Sequence, residues 1–256
     1  MAFVLKNRFC SFTGKTTILL LLSVVFFFAP FETSAQRRFS QSYPATRNVR
    51  LTLTNRSGTV TVEGWNRSEV QVQAYLETPA AAINPQIVDG TIFINMVKDN
   101  YGRGDVGSVN FTIRVPFDAA VDIETKVGNL NVSSVRGALV RAKISSDGDI
   151  TLTNISAQWV SAENGIGNIF FDGDIQSGGN YRFTSMSGDI NLRVPFNSSF
   201  KLIATAPSTR SINLGSFSGG NMRFIGDGRR VTGQVGDGSS YITVTNQRGR
   251  IAFIRR

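Results

Sequence analysis

The chain has 256 residues, 41% of them hydrophobic and 18% charged, with no histidine and a single cysteine, Cys10. This composition excludes disulfide stapling, histidine-ligated zinc and the commonest general base. The formal net charge is +9, and beyond residue 35 only Lys98, Lys126, Lys143 and Lys201 are lysines, so arginine carries most of it. Guanidinium groups suit carboxylate and phosphate. Anionic envelope glycans, lipid headgroups or an envelope protein are therefore the expected partners, although a basic balance also arises with no specific partner.

Residues 1–35 read as a signal peptide. Lys6, Arg8 and Lys15 precede an apolar run from Ile18 to Ala29 broken only by Ser23, and Thr33-Ser34-Ala35 supplies a small-residue cleavage site. As a helix, that run would fall well short of the ~30 Å of a bilayer core. Membrane attachment is thus expected only through an uncleaved signal. Cys10 precedes the run, whereas a lipid-modified cysteine would follow it. Removal of this segment takes away three cations and Glu32, leaving 24 basic and 17 acidic residues and a charge of +7. Residues 36–45 lack an apolar period and predict a flexible linker, leaving residues 46–256 as the folded domain.

From Val49 the pattern alternates. Val49, Leu51 and Leu53, then Val60 and Val62, predict two strands around a turn at Asn55-Arg56-Ser57-Gly58. Val70, Val72 and Ala74 continue the alternation. Ile92 and Ile94, followed by Val109, Phe111, Ile113 and Val115, read as a further strand pair across a glycine-rich loop, Asp99 to Ser108. The one candidate helical turn is Thr78-Pro79-Ala80-Ala81-Ala82, cut short by Pro85.

A short phrase then recurs: Val127-Gly128-Asn129-Leu130, Asp147-Gly148-Asp149-Ile150, Ile166-Gly167-Asn168-Ile169 and Ser187-Gly188-Asp189-Ile190. The period of about 20 residues marks one supersecondary unit copied and stacked. Each unit holds two short strands. Leu130 and Val132, Ile150 and Leu152, Ile169 and Phe171, Ile190 and Leu192 mark the first. Val140 and Ala142, Val160 and Ala162, Tyr181 and Phe183, Leu202 and Ala204 mark the second. The fold class expected is all-β, a β-solenoid of stacked repeats with antiparallel strand pairs at its N-terminal end.

Arg114-Val115-Pro116-Phe117 returns as Arg193-Val194-Pro195-Phe196. Proline lacks an amide donor, so the phrase predicts a corner where a strand leaves one layer for the next. After Ala206 the repeat degenerates, as the end of a stack must where it is closed against water.

The recurring Gly-Asp/Asn pair is explained by turn geometry, with glycine reaching positive φ and Asx bonding its own backbone. Two sharper readings stay open at this point. Asp147, Asp149, Asp172 and Asp174 are hard oxygen donors near adjacent turns and could bind calcium. The same acids could be the paired carboxylates of a β-helical carbohydrate-active enzyme. Asparagine stands in two of the four copies and uniform units offer no long insertions, so no catalytic, cofactor-binding or metal residue is assigned. Arg103-Gly104-Asp105 reads as a solvated loop, and Trp65 and Trp159 as core or rim residues. The basic patches lack the interleaved aromatics of a nucleic-acid binder.

The chain resembles the bacterial putative adhesin family. The likeness rests on Asn55-Arg56-Ser57-Gly58-Thr59-Val60-Thr61-Val62-Glu63-Gly64-Trp65 with Val70-Gln71-Val72, on the Gly-Asp-Ile repeats, and on the closing Gly249-Arg250-Ile251. It covers residues 46–256 and implies an exported β-strand repeat protein with no catalytic signature to transfer. The function expected is a non-catalytic binding or adhesion scaffold at the cell envelope, periplasmic, surface-bound or secreted. An envelope structural or signalling accessory and a carbohydrate-active enzyme are the alternatives.

Overall fold

The computed structural model describes residues 37–45, 48–219 and 221–256. The expected signal lies outside them. Within these residues the chain forms β1 (Arg37–Pro44), β2 (Arg50–Ser57), β3 (Val60–Trp65), β4 (Glu69–Leu76), β5 (Gln86–Val88), β6 (Thr91–Asn95), a single helical turn α1 (Met96–Asp99), β7 (Val109–Pro116) and β8 (Ala120–Val127). The repeats follow as β9 (Leu130–Ser133), β10 (Leu139–Asp147), β11 (Ile150–Ile155), β12 (Trp159–Ile166), β13 (Ile169–Gly173), β14 (Asn180–Ser187) and β15 (Ile190–Val194). The C-terminal part holds β16 (Phe200–Thr205), β17 (Ile212–Asn213), β18 (Arg223–Ile225), β19 (Arg230–Val235), β20 (Ser240–Asn246) and β21 (Ile251–Arg255).

Two sheets face each other. Sheet 1 has ten strands in the order β1-β4-β7-β3-β9-β11-β13-β15-β21-β17, and sheet 2 has eleven in the order β18-β19-β16-β20-β14-β12-β10-β8-β2-β6-β5. Alternation decides the arrangement. Each central strand turns its Val, Ile, Leu or Phe positions inward, and parallel pairing puts equivalent residues side by side. Val60, Leu130, Ile150, Ile169, Ile190 and Ile251 form one continuous inner column, and all six are buried. No single coil could bury that face alone.

The antiparallel pairs at the N-terminal end are β1·β4, β4·β7 and β5·β6. The strands flanking Asn55–Gly58 do not pair with each other. β2 lies in sheet 2 and β3 in sheet 1, and β6 and β7 are divided in the same way. The Asn55–Gly58 turn therefore crosses between layers, as the repeat turns do. Residues 37–44, expected to belong to a linker, form β1, which runs the full length of β4. Only Tyr43 of that strand is buried, so its sequence carries almost no apolar period and its pairing is a backbone matter. The helical turn falls at Met96–Asp99 rather than at Thr78–Ala82, because Asn95 caps it by accepting the Lys98 N–H at 2.9 Å.

Both Val-Pro-Phe phrases make the expected corner. β7 and β15 end sheet-1 segments, and β8 and β16 begin sheet-2 segments. Ala119 donates to the Pro116 carbonyl at 3.0 Å and Ser198 to the Pro195 carbonyl at 3.1 Å. A guanidinium covers each phenyl ring, Arg136 over Phe117 and Arg255 over Phe196.

The stacking order departs from chain order at both ends. β6 and β7, later in sequence, stack outside β2 and β3. β20 and β21 lie directly on β14 and β15, while β16 and β17, earlier in sequence, stack outside them. β16 to β19 therefore form a closing layer, whose two outermost strands, β17 and β18, have only two and three residues.

Candidate functional site

The repeated glycines stack. Gly58, Gly128, Gly148, Gly167, Gly188 and Gly249 lie one above another, and a Cβ on any of the last five would collide with the preceding glycine's carbonyl. Gly167, at φ +123°, is typical: both its backbone angle and its neighbour forbid a side chain.

Beside this column runs a second one made by the Asx residues. Asn129 Oδ1 accepts the Asp149 N–H at 2.9 Å, Asp149 Oδ1 the Asn168 N–H at 2.6 Å, Asn168 Oδ1 the Asp189 N–H at 2.9 Å, and Asp189 Oδ1 the Arg250 N–H at 2.8 Å. The side chains thus bond the next coil rather than their own turn. Only an acceptor oxygen is used, which is why Asn and Asp alternate freely.

The four acids considered as metal ligands or catalytic carboxylates are not brought together as one site. Asp149 belongs to the Asx ladder. Asp172, on the outer face of β13, receives Arg193 Nη2 at 2.6 Å and lies 3.6 Å from Arg256, which also pairs with Asp174. The Asp172 contact holds the Arg193 guanidinium above its ordinary pKa. Asp147 ends β10. Among the described residues, no group of three or more carboxylate, histidine or cysteine side chains is placed to hold a metal ion.

A column absent from the sequence reading lies inside, three residues before five of the six turn glycines, with Ile144 taking the inward position in the coil of Gly148. Asn55, Thr125, Asn164, Ser185 and Asn246 occupy it, all buried. Asn164 and Asn246 donate to the carbonyls of Gly148 and Gly188, each at 2.8 Å. The signal was a polar residue recurring at a fixed offset from glycine, among otherwise apolar inward positions.

The outer face of sheet 2 carries the exposed chemistry. Trp159, Asn180, Tyr241 and Lys201 occupy one row on four successive strands, β12, β14, β20 and β16. Gln234 follows on β19. Trp159 is 58% and Tyr241 52% exposed, and Lys201 Nζ lies 5.3 Å from the Tyr241 ring centroid. Trp159 is therefore neither core nor rim. Its exposure follows from register, since Val160 takes the inward position. Trp65 differs, because Arg67 and Arg114 cover its ring and its Nε1 donates to the Glu69 carbonyl at 2.9 Å.

Charge on this face is unevenly distributed. Towards the N-terminal end, Asp122 accepts Arg141 Nε at 2.7 Å and lies 3.7 Å from Arg50, while Lys143 pairs with Glu124 at 3.2 Å. Around the aromatic row, Arg182 and Lys201 have no carboxylate within 4.0 Å among the described residues. Next to Tyr241 lies a groove of about 460 Å³, lined by Lys201, Ile203, Thr232, Gln234 and Thr243 among others. Arg103, Gly104 and Asp105 are exposed in their loop.

A family model described as Toastrack DUF4097 matches residues 41–251. Similar solved structures include a putative cell adhesion protein from Clostridium sporogenes, 13% identical with a TM-score of 0.49, the match covering 86% of this chain and 100% of that one. A putative adhesin from Bacteroides fragilis is 12% identical with a TM-score of 0.40, covering 86% and 98%. A putative lipid binding protein from Parabacteroides distasonis is 9% identical with a TM-score of 0.33, covering 86% and 97%. No curated protein matches the chain.

Proposed function

We propose that this chain, which belongs to the Toastrack DUF4097 family, is an exported cell-envelope scaffold that binds other molecules without transforming them. One observation carries the reading: three of the four acids that could do chemistry are spent on structure, and the fourth, Asp147, stands exposed at the end of β10. Asp149 bonds the coil above it, and Asp172 and Asp174 are neutralised by Arg193 and Arg256. The outer rows of sheet 2 are free to meet a ligand on a rigid frame. Export is supported by the charge and hydropathy pattern of residues 1–35. No helix among the described residues is long and apolar enough to cross a membrane.

The test combines two assays of the full chain with purified envelope glycans. Co-sedimentation without release of reducing ends supports the reading. Release of reducing ends that disappears in Asp147→Asn, Asp149→Asn, Asp172→Asn or Asp174→Asn, with the fold retained, overturns it in favour of a hydrolase.

A second reading has its own observation. Among the described residues, β1 is an eight-residue edge strand paired on one side only, whereas the edge strands β5, β17 and β18 have two or three residues. Such an edge can take a partner's strand by backbone pairing, as an envelope accessory binding another protein would require. A partner protein held by the wild type and lost on Ser40→Lys would favour it.

A further inference from the structure

We propose that the outer face of sheet 2 binds an acidic, extended polysaccharide laid along the stacking axis, its rings seated on the row Trp159, Asn180, Tyr241 and Lys201. The inference rests on the binding-scaffold reading and names the ligand class and the site.

The argument is one of spacing and chemistry. Neighbouring strands lie about 4.8 Å apart, and the four residues stand on consecutive strands in direct register. The two exposed rings are therefore two strand steps apart, about 9.5 Å between backbones. An extended chain of β-linked pyranoses advances by close to one strand spacing per ring and presents equivalent faces at every second ring. Alternate sugars then stack on Trp159 and Tyr241, whose rings offer flat apolar surface at low entropic cost. The sugar between them meets the Asn180 side-chain amide, which has both donors and an acceptor.

Charge completes the match. The next strand step brings Lys201, with its ammonium against the Tyr241 ring, and Arg182 lies two residues along β14 from Asn180. Neither cation is paired with a carboxylate among the described residues, unlike those near Asp122 and Glu124. A carboxylate on the sugar above Tyr241 would meet both. The groove beside Tyr241 extends the row past Lys201 to Gln234 and Thr232. A lipid surface fits less well, since it asks for a broad apolar or polybasic patch, whereas this row alternates aromatic and polar side chains.

Affinity electrophoresis of the full chain in gels containing carboxymethylcellulose or hydroxyethylcellulose tests the proposal, because the two polymers share a backbone and differ in charge. Retardation is expected in both and stronger in the acidic gel. Trp159→Ala and Tyr241→Ala each weaken binding about tenfold, and the double substitution abolishes it. Lys201→Ala reduces the preference for the acidic polymer, and Lys201→Ala with Arg182→Ala reduces it further, while both leave retardation by the neutral one. Both aromatic side chains are exposed, so unchanged urea midpoints separate lost binding from lost fold. As an independent readout, Trp65→Phe leaves Trp159 as the single tryptophan, and its fluorescence should change on titration with carboxymethylcellulose.

Equal retardation of wild type and double variant would overturn the proposal. So would no retardation of the wild type, or tighter binding to anionic phosphatidylglycerol vesicles that ignores Trp159→Ala. If the chain co-sediments with envelope glycans yet ignores both polymers, this site assignment fails alone. Release of reducing ends would bring down the scaffold reading itself.

Discussion

The backbone N–H of Asn168 donates to Asp149 Oδ1 at 2.6 Å across the gap between two coils. In the opposite direction, Ile150 donates to the Asn168 carbonyl at 2.9 Å. Asn168 is thus tied to the neighbouring coil in both directions, its amide to the Asp149 side chain and its carbonyl to the Ile150 amide. Asp149→Asn keeps the acceptor and is expected to change stability by less than about 0.5 kcal/mol, whereas Asp149→Ala removes an exposed hydrogen bond and costs about 1 kcal/mol. Urea titrations measure both. If calcium raised the wild-type midpoint and left Asp149→Asn unmoved, the acid would be a ligand and the ladder secondary.

Gly167→Ala should be among the most damaging single changes. The added carbon meets the Gly148 carbonyl and sits at φ +123°, for an expected loss of about 3 kcal/mol or more. Gly104→Ala is the control, since a Cβ there meets nothing within 4 Å, and its denaturation curve should overlay that of the wild type. Similar curves for the two variants would mean that the glycine column is looser than the register implies.

Asp172→Ala should destabilise more than Arg256→Ala. The Asp172 side chain is only 10% exposed and serves two guanidinium groups, so removing it leaves Arg193 without its partner. Arg256 is more open and also contacts Asp174. The expected costs are about 2 kcal/mol and less than about 1 kcal/mol respectively. Thermal melts of the two variants at equal ionic strength check the order.

Alkaline pH should weaken the fold through Tyr181. Its buried hydroxyl accepts the Gln176 N–H at 2.7 Å and donates to the Ala157 carbonyl at 3.0 Å, and burial pushes its pKa from 10.0 up to about 12. The unfolded chain loses this proton near pH 10 while the folded chain retains it to about 12. The stability contribution is therefore complete below pH 10 and lost as pH rises through that window. Tyr181→Phe should unfold more easily at pH 7, with a shallower decline above pH 10. An unchanged alkaline slope in urea melts would assign the decline to other groups.

Much of the scaffold was legible because its physics is local and repeated. Period-2 alternation put Ile150 and Leu152 inside, and the glycine step set the coil length. Proline marked both corners. The partner of each strand was less visible, since alternation says which side faces in but not which neighbour follows. Hence β2 and β3 read as two strands around a turn, with nothing in the pattern to say that they lie in opposite sheets. β1 escaped notice because an edge strand held by backbone bonds needs no apolar pattern. The aromatic row was hidden for a related reason. Trp159, Asn180, Tyr241 and Lys201 are scattered in sequence, and Lys201 precedes Tyr241 in the chain but follows it in the stack. Only the displaced order of β16 and β20 makes them neighbours. The Asx ladder was half visible: the residues stood out, but the coil they bond did not.

The most direct discrimination places two double variants side by side in the carboxymethylcellulose gel. Trp159→Ala with Tyr241→Ala should migrate as if no polymer were present, while Asp147→Asn with Asp149→Asn should be retarded like the wild type. The reverse pattern, with binding lost through the acids and kept without the rings, would contradict the assignment of the acids to structure and of the outer face to recognition.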